Sequence, residues 1–272
     1  MLKKILFFIV ILIPSSHFAQ TFEKEFETNF VWEVKQIDEF IDRFNNVDAT
    51  LINEYNKKHN ASVKLTREKL IKSLFNTQRK DWNFADITEL INQVNNKENP
   101  IFLDFNRENW CAKLICKVFW KGKIEKATLK LIVKNQSDGS CKWVISDIDA
   151  KFLFPKKIEG VDNSIDQPHI PMADNANDYL NPISHTNDFM DIDRVTETPK
   201  SIGNFIIKSD SYSENMCLFI KECLKKNIKI LSVSSIKYSF FQIKGWEMII
   251  EQFNRQSKNS GWLISKLNKV SS

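Results

Sequence analysis

Residues 112–133 read AKLICKVFWKGKIEKATLKLIV, and this stretch decides the fold. Two apolar-rich runs, 112–120 and 124–133, flank the turn Lys121-Gly122-Lys123. In and just beyond the second run, Thr128, Lys130 and Lys134 stand opposite Leu129, Leu131 and Val133. That period-two pattern marks a strand with one face buried. A Ser137-Asp138-Gly139-Ser140 turn follows, and residues 142–154 read as a third, kinked strand. The expectation is an antiparallel meander, with 101–103 as a short extra strand ahead of it.

Upstream the texture is helical. Phe30, Val34, Ile37, Ile41 and Phe44 recur at spacings of three and four, a helical stripe. Asn45-Asn46-Val47-Asp48 interrupts it, and Asp48 is placed to cap a second helix carrying Leu51, Ile52 and Tyr55. Thr66 reads as the N-cap of a third helix with Leu70, Ile71 and Leu74 inward. Ala85 to Val94 repeats the pattern with Ile87, Leu90, Ile91 and Val94.

Downstream, residues 158–193 lack Lys and Arg and carry Glu159 and seven Asp, punctuated by Pro168, Pro171 and Pro182. This composition reads as an acidic linker. Helix-then-strands then returns: Ser213 caps a helix with Met216, Phe219, Ile220, Cys223 and Leu224, and strands are expected at 229–243, 246–253 and 262–267. The two halves align. Asn135, Trp143, Ile145 and Ser146 fall on Asn254, Trp262, Ile264 and Ser265, which points to a remote duplication. The expected organisation is a leader at 1–19, an α+β unit at 20–154, the linker at 155–184 and a second, similar helix-plus-antiparallel-sheet unit at 185–272.

The leader is read from Lys3 and Lys4, the apolar run Ile5–Ile13, the break Pro14-Ser15-Ser16 and the small Ala19 before Gln20. Nine apolar residues rise about 14 Å as a helix, against a hydrocarbon core of roughly 30 Å. Export to the periplasm or exterior is therefore expected, with no transmembrane span. The Lys, Asn, Ile and Phe bias reads as bacterial. Residues 1–20 hold no Asp or Glu, so losing Lys3 and Lys4 lowers the formal +5 by two. So small a charge over this length is no nucleic-acid footprint. Cys217 and Cys223 point to different helix faces, while Cys111, Cys116 and Cys141 lie on neighbouring strands where one pair could form. Buried free thiols are the simpler expectation.

Ile37 to Tyr55, IDEFIDRFNNVDATLINEY, resembles the opening of NTF2-like domains, with Asn45, Asp48 and Tyr55 at the helix break and the closing aromatic position. The later hairpins ending at Lys142-Trp143-Val144-Ile145 fit the same α+β cone. The resemblance covers about 30–154 and, more faintly, 185–272. It implies N-terminal helices packed on a curved antiparallel sheet with an apolar pocket between. It carries no single activity, because such domains serve as isomerases, dehydratases, ligand binders and dimerisation modules.

No Gly-x-Ser-x-Gly or phosphate-binding glycine loop is present, and His59 lies in a polar helix-end run. No cofactor is expected. His169, Asp174, Asp178 and His185 are the residues whose spacing invites a hard cation. However, Tyr179 stands where a calcium loop needs Gly, and His185 where it needs Glu. Asp147 and Asp149 would share one strand face. Lining a pocket, one would serve as a general base; facing water, they leave Ile145, Ile148 and Phe152 to pack. Among the tryptophans, Trp143 and Trp262, at equivalent strand starts, are expected in core or sheet-end packing and Trp120 at the surface.

The expected role is a non-enzymatic binding or interaction module for an unknown small molecule or protein. A pocket isomerase or dehydratase using Asp147 or Asp149, and a cell-envelope structural protein pairing through strand edges, are the alternatives. Self-association would run through the sheet surface. If the leader reading holds, the exported product begins at Gln20 by N-terminal sequencing; a product retaining Ile5–Ile13 would overturn it.

Overall fold

Lys121 (φ 46°) and Gly122 (φ 82°) both take left-handed backbone, and Trp120 pairs with Lys123 across them. Two consecutive positive φ values make the tight hairpin turn whose twist matches that of the strands it joins. The computed structural model describes residues 27–47, 50–60, 65–136, 138–154, 166–171, 179–180 and 189–271. The expected leader at 1–19, Asp48, most of the stretch expected as an acidic linker, and Asp174, Asp178 and His185 lie outside them. The chain forms two compact units, Met1–Lys80 with Phe253–Leu263, and Asp81–Gln252 with Ile264–Ser272.

The fold is α+β, built on a curved, open, six-stranded antiparallel sheet of order β3-β2-β1-β4-β5-β6. The strands are β1 (Trp110–Trp120), β2 (Lys123–Asn135), β3 (Cys141–Asp149), β4 (Ile228–Phe240), β5 (Trp246–Phe253) and β6 (Gly261–Lys269). Each half of the chain supplies a three-strand meander, and the pairing of β1 with β4 joins them. Leu114, Cys116, Val118, Leu129, Leu131, Ile148 and Ile230 are buried on one face, as the alternation requires. At one end Trp110, 2% exposed, stacks on Phe240 with centroids 4.8 Å apart and meets Trp143 edge-on at 4.6 Å.

Bulges interrupt the ladders. Leu131 pairs with Ile145 but Lys130 with Asp147, so Ser146 is the extra residue, and its Oγ donates to Lys130 O at 3.1 Å. The aligned Ser265 Oγ donates to the aligned Ile249 O at 3.2 Å. The tryptophans match too: Trp143 N donates to Leu180 O at 3.0 Å, and Trp262 N to Val34 O at 2.8 Å.

In the smaller unit, α1 (Ile37–Asn45), α2 (Thr50–Lys58) and α3 (Arg67–Ser73) follow one another, with α3 against α1. Asn46 ends α1 in the left-handed conformation, and Thr66 caps α3 by accepting from Lys69 N. The helical stripe expected from Phe30 is broken. Residues 27–32 are helical, but Val34 leaves the helix to give its N–H to Ser260 O and its carbonyl to Trp262 N. Backbone groups committed to another segment cannot also close helical turns. Asn259 then holds the turn after α3: its Nδ2 donates to Ser73 O and Phe75 O at 3.0 and 2.9 Å.

In the larger unit, Asn83 caps α4 (Phe84–Val94). Residues 101–103 form no strand; Ile101 N returns to Val94 O, and the chain beyond is held by Gln242. That side chain is 7% exposed, accepts from Asp104 N at 2.8 Å and donates to Asp104 O at 2.8 Å. The third strand stops at Asp149, before a 3-10 turn at Lys151–Leu153. α5 (Ile202–Phe205) and α6 (Glu214–Leu224) lie against β3, and Ser213 caps α6.

Gly261 (φ +83°) separates two kinds of glycine cost. A Cβ there would sit 1.9 Å from Val34 O, whereas at Gly122 it would meet nothing within 4 Å. Gly261→Ala is expected to destabilise by more than about 3 kcal/mol and Gly122→Ala by only about 1 kcal/mol, read from urea midpoints. Equal losses would refute the close approach of Val34.

Candidate functional site

Asp147 and Asp149 both face solvent, on the exposed side of β3. The bulge at Ser146 sets this: after it Asp147 lies opposite Lys130, Ile148 turns inward, and Asp149 lies opposite Thr128. Asp147 Oδ1 accepts from Ser213 Oγ at 3.0 Å, and that same hydroxyl accepts from Met216 N at 3.3 Å. The carboxylate thus completes the cap of α6, where negative charge meets the positive end of the helix.

The register brings together charges that the chain keeps far apart. Lys113 lies opposite Lys130 on one side and opposite Lys237 on the other. Across five strands the row reads Asp147, Lys130, Lys113, Lys237, Glu251. Side chains directly opposite are about 5 Å apart at Cβ, and like charges so placed are destabilising. Relief comes at one end, where Lys237 Nζ reaches Glu251 at 2.7 Å. Burial pushes the Glu251 carboxyl up, but the hydrogen bonds from Lys237 and Ser265 outweigh it and hold its pKa below the ordinary glutamate value. Nearer the β1–β2 turn, Lys117 lies opposite Lys126. Lys113, Lys117, Lys126, Lys130 and Lys229 are exposed, and among the described residues no carboxylate pairs with them. A cationic, solvent-facing sheet face is the most organised polar feature of the larger unit.

Other sequence candidates do not join it. His169 is exposed, and among the described residues no three His, Cys, Asp or Glu gather to hold a metal. His59 follows α2, its Nδ1 2.9 Å from Tyr55 O and its ring centroid 4.2 Å from the Tyr55 ring. Trp143 and Trp262 are buried, at 2% and 1% exposure. Trp120 is half-buried, with Nε1 donating to Glu222 at 3.2 Å and Lys121 over its ring.

All five cysteines are buried and free. Burial pushes the Cys116 thiol up to about 12. The folded state thus keeps a proton that the unfolded chain releases near the ordinary thiol value of 9.0. The associated stability is complete below 9.0 and is lost as pH rises through about 12, in total on the order of 4 kcal/mol. Cys116→Ala is expected to flatten the alkaline side of the stability curve, measured by urea unfolding between about pH 8 and about pH 11. An unchanged alkaline slope would sink this. Comparison of the chain with known protein families, with curated proteins and with solved structures gave no match.

Proposed function

We propose that this chain is an exported binding module, not an enzyme, and that it engages an anionic partner through the exposed face of its sheet. The observation that carries the reading is the lateral row Lys130–Lys113–Lys237 on the three central strands. Lysines at an edge serve to discourage strand pairing, but these lie on interior strands, where sheet stability favours alternating signs. Local rules broken without local gain mark functional surfaces.

The architecture is read as NTF2-like, supported by helices that precede a curved antiparallel meander. The second helix-plus-meander unit is read as a remote copy of the first, supported by the matched serine and tryptophan hydrogen bonds. The pocket-enzyme alternative finds no support in Asp147 and Asp149, which are exposed. Strand-edge assembly finds little, since Trp143 N and Trp262 N are already engaged by Leu180 O and Val34 O. Two copies meeting through this face would bring lysine against lysine, which disfavours a dimer there.

Lys113→Gln tests the proposal in two opposed directions. Removing the central charge is expected to raise stability by about 0.5 kcal/mol while lowering the salt concentration needed to elute the protein from immobilised heparin. A variant that loses stability, or that elutes unchanged, would refute the reading.

A further inference from the structure

The three central strands run beyond their neighbours at one end. β3 pairs with β2 only as far as Thr128, and β5 pairs with β4 only over Lys237–Phe240, so 123–127, 116–120 and 228–236 run past both neighbours as a three-stranded tongue. Its inner side, with Val118, Ile228 and Ile230, is buried, with Met190–Thr196 against β4, and its outer face is in water. Its exposed face has two kinds of row. Nearest the turn, Phe119 lies between Ile124 and Lys229; two residues back, Lys117 lies between Lys126 and Ser232. Phe119 is 44% exposed, Ile124 69% and Leu231, at the register shift of β4, 42%. Large apolar side chains in water, backed by unpaired lysines, are an unfavourable surface for a protein that meets only solvent.

We infer that this tongue docks on an anionic lipid surface, with Phe119, Ile124 and Leu231 entering the headgroup boundary and Lys117, Lys126 and Lys229 binding lipid phosphates. The inference rests on the reading of the sheet face as an anion-binding surface and names the partner class. A soluble polyanion needs the lysines but has no use for the apolar row; a neutral apolar partner needs the row but not the charge. An anionic membrane uses both, since lysines near its surface and apolar side chains a few ångströms deep each add to partitioning. The two rows are two residues apart, about 7 Å along the strand, and Lys229 shares the row of Phe119 and Ile124, so apolar and cationic side chains present themselves together on one face of the sheet. Lysine stems can lie along the apolar boundary while their ammonium groups stay at the phosphates. Lys121 and Lys123, exposed at the turn, extend the same charge.

The experiment is co-sedimentation of the full chain with phosphatidylcholine vesicles and with phosphatidylglycerol-rich vesicles, with heparin elution run in parallel. Binding through the apolar stretch at 5–13 would occur on both vesicle types, so the difference between them isolates the tongue. Tighter, salt-sensitive binding to the anionic vesicles is expected. Each lysine removed should weaken it about fivefold, so the triple variant Lys117→Gln, Lys126→Gln, Lys229→Gln should lose about 100-fold. Phe119→Ser with Ile124→Ser, both at exposed positions, should lose about tenfold, and that loss should persist in high salt. Equal binding to both vesicle types, or full binding by either variant, overturns the inference. Retention on heparin without a preference for anionic vesicles overturns the lipid assignment alone; loss of both overturns the anion-binding reading as well.

Discussion

The antiparallel pairing of β1 with β4 is the constraint on which the rest depends. Each meander alone would leave one long strand with an unpaired edge and half of its apolar face uncovered. Joined along Trp110–Trp120 and Ile228–Phe240, the two become one sheet whose buried side is continuous from Leu129 through Leu114 to Tyr238. Phe240 and Tyr238 join the aromatic cluster at Trp110 only because this pairing sets Phe240 opposite it and brings Tyr238 two residues away. No local propensity supplies such a contact, since its partners are more than a hundred residues apart in the chain.

The same ladder produces the exposed face. Every residue that turns inward obliges its neighbours to turn outward, so burial of Leu114 and Leu129 sets Lys113 and Lys130 side by side in water. Pairing with β4 then adds Lys237 to the row. The repulsion is a consequence of register, and Glu251 and Asp147 at the two ends are the nearest opposing charges along the row. Two register shifts in β4, near Ser234 and Leu231, keep this alternation in phase over its length; Ser234 Oγ closes one of them by donating to Ile115 O at 2.8 Å. A slip of one residue would bury lysines and expose leucines.

The edges of the sheet are managed by similar means on both sides. A strand edge offers unpaired N–H and C=O groups, and short segments satisfy part of that demand at Trp143 and, in the smaller unit, at Trp262. Gly261 is what the second arrangement requires, because any Cβ would occupy the place of the Val34 carbonyl.

Much of this was legible in the residues themselves. The β1–β2 hairpin, the Thr66 and Ser213 caps, the span of β5, and the burial of Trp143 and Trp262 follow from local periodicity, capping chemistry and apolar character, which act within a few residues. The helix through Val34 failed because the distant 260–262 backbone took its N–H and carbonyl, and the expected strand at 101–103 failed where Ile101 N turned back to Val94 O at the end of the preceding helix. The lysines at 113, 117, 126 and 130 were visible as outward positions of two strands, and a net charge of a few units over the whole chain concealed their concentration. Which of them stand together, and that Lys237 joins them, only the tertiary structure decided. Strand order and register are set by the fit of the whole buried face, and a charge pattern spread over two halves of a chain becomes a surface only when that face closes.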